Sequence, residues 1–565
     1  MKQTWLFRKE RPLPLLPGLS YARLRKPARL DRPEAAASPA VQPDRAGSHP
    51  RLLFWLTVAL LVIGVLARVT RYAVMGAMWG DECMLGMNIL SRDFAGLTRM
   101  LDHMQTAPIL FLWSERVMYL AFGSSELALR FLPLAAGLGA FFLFWDFARR
   151  ATSPLAAMLA MGLLAVSRWP VCMAATFKPY ATDLFFATLL MNLAHRWRTE
   201  PGKLWSLVAL VAVIPVVMSG SYTAAFVAGG VSLYLLPTAW GHSDRRARGL
   251  FVAFNVLMLG TFAANYWLHI HGQLAEQGRA LETFMKDYWA DGFPPASPIA
   301  FLKWAALINT GRLFAYPVGD ANGGSVVTLL VFLVGVGVVW RSKSRSILVL
   351  CLAPFALNFL AAVMGKYPYG GCCRLSQHLT PAICLILGIA LAAIIDRFAT
   401  SSRTWVRNVV TTSVVFAGIG VFQMMLDLAS PNRDAISAWS RQLHRELRRH
   451  MQPDDRVVLA SPRVYMDETT SWQLHRLGDS LDWGVPADGA AEAPRVWILS
   501  YVASGTNYRF EEDALAKLGP GRVEVGRMMY SIPIDRNLHR NWQFTMICLA
   551  KPEHATVRPV FSSSP

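Results

Sequence analysis

Apolar runs of membrane-spanning length recur along most of this chain. The first covers Leu52 to about Thr70; others fall near 127–147, 152–169, 180–197, 203–220, 222–240, 250–268, 323–340, 346–364, 376–396 and 405–428. About 20 apolar residues make a helix long enough to cross the hydrocarbon core of a bilayer. A helix satisfies its own backbone there, where water does not reach. The pattern predicts a polytopic α-helical membrane protein with about 11 transmembrane helices. Charged residues are only 16% of the 565 positions, against about a quarter in soluble domains.

The net charge of +19 is decided by where the cations lie. They gather in short loops: Arg149-Arg150, Arg196/Arg198/Lys203, Arg245/Arg246/Arg248, Arg341/Lys343/Arg345 and Arg397/Arg403/Arg407. Basic loops mark the cytoplasmic side, and no nucleic-acid partner is expected. With eleven spans, every one of these loops falls on the side of the N-terminal arm, and the C-terminus falls outside. This requires that Ala107–Phe122, with Glu115 and Arg116 at its middle, not cross. An interfacial or re-entrant helix suits it.

Three regions follow. Residues 1–50, rich in Pro and Arg, read as a disordered basic cytoplasmic arm able to touch anionic lipid. Residues 51–429 form the transmembrane domain, and residues 430–565 a smaller extracytoplasmic α/β domain. In the last region an amphipathic helix is expected at Arg433–Met451. Strands are expected at Arg456–Ala460, Val496–Tyr501, Val523–Met528 and Trp542–Ala550, with helical stretches near 466–477 and 511–517. Two outer loops are too long for plain connectors. Residues 71–126 carry amphipathic patterns at 81–91 and 92–102. Residues 269–322 follow Trp267 and contain Trp289 and Trp304, spaced as interface anchors. The seven cysteines have no metal-ligand spacing, and the neighbours Cys372 and Cys373 read as two small buried side chains.

Ionisable and polar residues gather at the outer ends of the spans. The first outer loop supplies Asp81, Glu82, Asp102, His103 and Gln105. The third and fourth spans flank Lys178, Tyr180 and Asp183. The loop after the ninth span supplies Tyr369, Arg374, Gln377 and His378. Ionisable groups are costly in lipid and are functional candidates by default. Cations at headgroup depth suit a phosphate, and a carboxylate suits a general base for an acceptor hydroxyl or amine. An acidic pair is also able to hold a divalent cation, but one adjacent pair does not define a metal site, and no cofactor is assigned.

The order of motifs carries a resemblance. A membrane span is followed by Trp79-Gly80-Asp81-Glu82, then Gln105-Thr106-Ala107-Pro108, then Ser-Glu-Leu-Ala-Leu-Arg-Phe-Leu-Pro at 125–133. Lys-Pro-Tyr-Ala-Thr-Asp follows at 178–183, and Tyr-Pro-Tyr-Gly-Gly at 367–371 with Arg374 and Pro381. Over roughly 50–400 the chain resembles the GT-C glycosyltransferases, in the branch of protein O-mannosyltransferases, lipid A aminoarabinose transferases and rhizobial-type sugar transferases. The resemblance implies a polyprenyl-phosphate-linked sugar donor and a catalytic base in the first outer loop, at Asp81. It implies a second acidic position at Asp183, and donor-phosphate contacts from Lys178, Arg374 and His103. Some relatives carry an Arg soon after the acidic pair, where Cys83-Met84 stand here, so Arg68 or Arg71 would serve instead.

The expectation is an inverting transferase in the bacterial cytoplasmic membrane that moves a sugar to a glycan, lipid or protein acceptor. Asp81, Glu82 and Asp183 would be catalytic, with Glu82 structural or a metal ligand rather than the base. Lys178, Arg374, His103 and Arg71 would bind donor phosphate, and Gln105, Tyr180, Tyr369 and His378 would line the substrate. Two rivals stand: a transporter or flippase of a lipid-linked anion, which would need midplane charges and repeat symmetry, and a non-catalytic envelope scaffold.

Overall fold

The computed structural model describes residues 48–74, 76–270, 283, 286–319, 325–432, 435–452, 454–459, 472–473, 492–503, 518, 521–535 and 540–555. The basic arm expected over 1–50 lies outside these residues except for its last three. The helical stretch expected near 511–517 lies outside them too, as does that near 466–477 apart from Trp472 and Gln473.

The chain begins with α1 (Pro50–Ala73), α2 (Gly80–Ser91), α3 (Ile109–Phe122), α4 (Glu126–Ala151) and α5 (Pro154–Val166). It continues through α6 (Arg168–Met173), α7 (Tyr180–Thr199), α8 (Trp205–Gly220), α9 (Ala224–Gly241) and α10 (Arg245–Asn265). Among the described residues, six helical runs are long and apolar enough to cross a membrane. They are α1, α4, α9, the run Arg245–His269 that starts with α10, Cys373–Phe398 and Ser402–Ala429. Four shorter apolar helices, α5, α8, Val326–Arg341 and Ile347–Val363, pack among them.

The outward faces of these helices are apolar. Phe54, Trp55, Val62 and Leu66 of α1, Val252, Val256, Leu259 and Phe262 of α10, and Val414, Val415, Phe422 and Met425 of Ser402–Ala429 are all exposed. Continuous apolar surface of this extent suits hydrocarbon, not water. The interior is built on α5, buried along its whole length from Leu155 to Val166. Phe141, Phe144 and Phe147 of α4 and Ile383–Leu387 of the run Cys373–Phe398 pack into the same core.

The span expected over 152–169 is broken. α5 stops at Val166, Ser167 is extended (φ −73°, ψ 120°), and α6 restarts at Arg168. Carbonyls at a helix end inside an apolar bundle need donors. The buried Arg68 guanidinium donates to the carbonyls of Leu164 (3.1 Å) and Ala165 (3.4 Å), and Gln423 Nε2 to that of Val166 (3.0 Å). A cation at a helix C-terminus also opposes its macrodipole favourably. Arg68 is therefore occupied in the bundle.

α3 has 14 residues, about 21 Å of helix. That is too short for a hydrocarbon core of about 30 Å. Glu115 on it is fully buried, and burial pushes its carboxyl well above the usual range. Arg116 reaches back to the carbonyls of Ile89 (2.6 Å) and Leu90 (3.0 Å), so α3 braces the end of α2. The second amphipathic pattern, at 92–102, is not a helix beyond a 3-10 turn at Gly96–Thr98. Arg92 leaves the helix in an extended conformation, donates to the carbonyls of Gly96 and Met100, and pairs with Asp102 at 2.8 Å. The segment folds around one guanidinium, and its apolar residues pack inward from a loop.

Residues 435–555 hold the amphipathic helix Ala435–His450 and a four-stranded sheet of order β1-β2-β4-β3, formed by β1 (Arg456–Leu459), β2 (Arg495–Ala503), β3 (Val523–Asp535) and β4 (Arg540–Ala550). β1 runs parallel to β2, and the other pairs are antiparallel. Alternation divides the sheet into two faces. Val457, Trp497, Leu499, Met546 and Cys548 meet Trp439, Leu443 and Leu447 of the helix. Val458, Val496, Ile498, Ile547 and Leu549 cluster with Leu518. Asp455 pairs with Arg495 (2.6 Å) beneath the first face and accepts from Trp497 Nε1 (2.8 Å). The link from Ser402–Ala429 to this region presses on the approach to α2. Arg71 pairs with Asp427 at 3.0 Å, and Asn432 Oδ1 accepts from the Ala77 amide at 3.0 Å.

Candidate active site

α2 starts at Gly80 behind an extended Trp79. Glu82 reaches back to accept from the Trp79 amide (3.4 Å), the carboxylate half of a capping box. The same side chain accepts from the Phe177 amide (2.6 Å) and binds Arg130 of α4 through both oxygens (3.2 and 2.9 Å). Arg130 also donates to the Gly76 carbonyl. Glu82 thus ties α2, α4 and the segment before α7 together, and its oxygens are fully engaged. A bidentate, charge-assisted pair of this kind orients as well as binds.

One residue back, Asp81 lies about 100° around the helix and faces away from that knot. Its Oδ1 is 2.9 Å from Lys178 Nζ, and its Oδ2 is 3.4 Å from Arg374 NH1. The Asp81 side chain keeps 20% exposure, against 6% for each cation. Burial opposes ionisation of Asp81, but Lys178, Arg374 and a hydrogen bond from Gln105 outweigh it. They hold the carboxyl below its usual range. The carboxylate is therefore charged at neutral pH.

Each partner comes from a different segment. Lys178 sits in the tight turn before α7, where its amide donates to the Thr176 carbonyl (2.7 Å). Its ammonium also donates to Gln105 Oε1. Gln105 is delivered by a loop whose His103 and Met104 have φ of 58° and 51°, a left-handed conformation that costs a non-glycine residue about 1 kcal/mol or more. Asn88 of α2 clamps that loop, accepting from the Asp102 amide at 2.8 Å and donating to the Asp102 carbonyl at 3.3 Å. Arg374 is the second residue of the 3-10 segment Cys373–Leu379. Its guanidinium lies between the indoles of Trp79 (4.9 Å) and Trp289 (4.8 Å). Two such cation–π contacts hold the guanidinium in place.

Beside Arg374 opens a cavity of about 310 Å³ lined by Trp79, Trp169, Tyr288, Trp289, Asp291, Arg312, Gly371, Cys372 and Arg374. Aromatic faces with a few charged groups are suited to a polar ring that stacks and hydrogen-bonds. Cys372 and Cys373 are both buried and are not bridged to each other.

The other expected residues fall into two sets. Tyr180 is buried on α7, with its hydroxyl in the field of Asp81, Asp183 and Arg374. Asp183 is buried one turn on and accepts from Ser221 Oγ at 2.5 Å. His103 is half-buried in the loop beside Gln105. By contrast, Arg71 is held by Asp427. Tyr369 packs on Phe359 (5.7 Å) and Trp304 (6.1 Å), its hydroxyl pushed by burial up to about 12. His378 is buried against Phe226 (5.6 Å). Trp289, spaced as an interface anchor, instead covers Arg374. Arg130, quoted above only as part of a motif, is the partner of Glu82. Trp169, Tyr288, Asp291 and Arg312 come from separate segments, and no spacing in the chain signals that they share a cavity.

With Glu82 committed to Arg130 and two backbone amides, and Asp81 to two cations, this donor set does not fit a metal ion. Among the described residues no cluster of three or more His, Cys, Asp or Glu side chains could hold one.

No protein-family model matches the chain, and no curated protein matches it. Solved structures do. ArnT from Cupriavidus metallidurans bound to undecaprenyl phosphate is 13% identical, over 86% of this chain and 97% of that one, with a TM-score of 0.49. The Archaeoglobus fulgidus oligosaccharyltransferase in its apo form is 11% identical, over 76% of this chain and 65% of that one, with a TM-score of 0.45. AglB from Archaeoglobus fulgidus, in complex with an inhibitory peptide and a dolichol-phosphate, is 11% identical over 79% and 69%, with a TM-score of 0.42.

Proposed function

We propose that the chain is an integral-membrane glycosyltransferase that moves a sugar from a polyprenyl-phosphate donor to an acceptor in the cell envelope. The reaction would take place at the outer face of a bacterial cytoplasmic membrane crossed by eleven spans. The observation that carries this reading is the buried bridge Lys178–Asp81–Arg374 beside the aromatic cavity.

The chemistry follows from charge. The acceptor oxygen or nitrogen forms a bond to the anomeric carbon, and the bond from that carbon to the donor phosphate oxygen breaks with inversion. The acceptor proton goes to Asp81, and the departing phosphate gains negative charge beside Lys178 and Arg374. Without donor, the cations bind Asp81 and hold its pKa down, which makes it a weak base. A donor phosphate drawing on the same cations would relieve that hold and raise the basicity of Asp81 as substrate arrives. Tyr180 and Gln105 would align the groups, Asp183 would hold the start of α7 in place, and the cavity would receive the sugar ring.

The test is mass analysis of envelope glycolipids and glycoproteins from cells making the wild-type chain or Asp81→Asn. A sugar adduct is expected with the wild type and none with the variant, at equal membrane levels of both. A full yield of adduct from Asp81→Asn would remove the mechanism.

A further inference from the structure

We infer that Trp472, from the C-terminal part of the chain, is a positioning residue that seats the candidate active site from outside the membrane helices. The inference rests on the functional reading above only for its effect on transfer. The indole is fully buried. It packs in one cluster with Met78, Cys83 and Leu85 around the start of α2, Phe111 and Leu112 of α3, and Phe177. Cys83 is two residues from Asp81, and Phe177 adjoins Lys178. The cluster that the ring joins therefore lies behind both halves of the 2.9 Å ion pair.

The fit is made by an absence on α2. A Cβ built at Gly86 would lie 2.6 Å from Cζ3 of the Trp472 ring and 3.1 Å from Cε3. Only a glycine lets the indole lie against the helix backbone at this point. Glycine in a helix interior is less favourable than alanine, so the contact offsets a local loss. The ring is also oriented at its polar edge. Trp472 Nε1 and Gln473 Nε2 both donate to Glu126 Oε1 at 3.4 Å. Arg441 of the helix Ala435–His450 pairs with the other Glu126 oxygen, and His444 of that helix bonds the Gln473 carbonyl at 3.1 Å. The helix that covers the sheet, the indole and the head of α4 form one connected path to α2.

The experiment uses full-length protein in lipid nanodiscs, with amide hydrogen exchange read over Gly80–Ser91 and transfer read in cells. Trp472→Ala is expected to speed exchange of α2 about tenfold while leaving α4 and α5 unchanged, and to lower the sugar adduct. Trp472→Phe should restore most of both. Gly86→Ala should reproduce the loss in the wild-type background but much less in Trp472→Phe, whose smaller ring clears the new methyl group. Unchanged α2 exchange in Trp472→Ala, or an equal effect of Gly86→Ala in both backgrounds, would overturn the inference. Exchange is independent of chemistry: if Asp81→Asn stays active while Trp472→Ala loosens α2, the functional reading fails and this one stands.

Discussion

Asp81 and Glu82 are neighbours in sequence, yet their surroundings assign them different work. Glu82 is enclosed by Arg130, the Phe177 amide and the Trp79 amide. Asp81 keeps some exposure and sits between two cations. Its depressed pKa carries a signed consequence. The charge is present above the ordinary value of 3.8 and is lost only as pH falls through the lower folded value. In the proposed reaction the acid limb of kcat/KM then lies below the usual carboxylate range. With donor bound, the limb of kcat lies higher, because the phosphate competes for the cations. Lys178→Met leaves only Arg374 and the Gln105 hydrogen bond to oppose burial, so its kcat/KM limb moves to higher pH; a pH–rate profile reads the shift. The chain's motif order singled out Asp81, Lys178 and Arg374 before any geometry. It was silent on Trp289, because a guanidinium clamped by two indoles joins residues 79, 289 and 374. Separations of that size leave no local pattern.

At the level of elements, α2 is a short helix whose position comes from its neighbours. Arg130 and Glu82 hold its head, Arg116 its tail, and Trp472 its glycine face. Replacing Arg130 by Met would leave Glu82, whose side chain is 3% exposed, buried without its cation. Breaking one side of a buried pair costs about 3–5 kcal/mol. Thermal unfolding should show the loss, and Glu82→Gln in the same background should recover part of it. Hydrophobic periodicity placed α2 and the amphipathic helix Ala435–His450 well. It misread 92–102, where an inward-facing loop around Arg92 imitates the spacing of a helix. It also ran α5 and α6 together, because an apolar run carries no mark at the point where Arg68 and Gln423 end a helix by taking its carbonyls.

Across the whole molecule, orientation is set by where cations can rest. If α3 stays at the surface, Arg150 ends on the cytoplasmic side and His450 on the opposite side. Reporter fusions after Arg150 and after His450 should therefore give opposite readouts, and an external readout after Arg150 would invert the arrangement. Composition and apolar run length by themselves determined that this chain lives in a membrane, since both are local sums along the backbone and need no partner. They also located the acidic pair and the cations. Which carboxylate stays ionised and reachable, which cations meet it, and which indoles close around Arg374 were decided only by tertiary structure. Electrostatics and packing depend on distances of a few ångströms between segments hundreds of residues apart, and no one-dimensional pattern encodes such distances. The acidic pair is a feature of the sequence; the bridge from Lys178 through Asp81 to Arg374 is a feature of the fold.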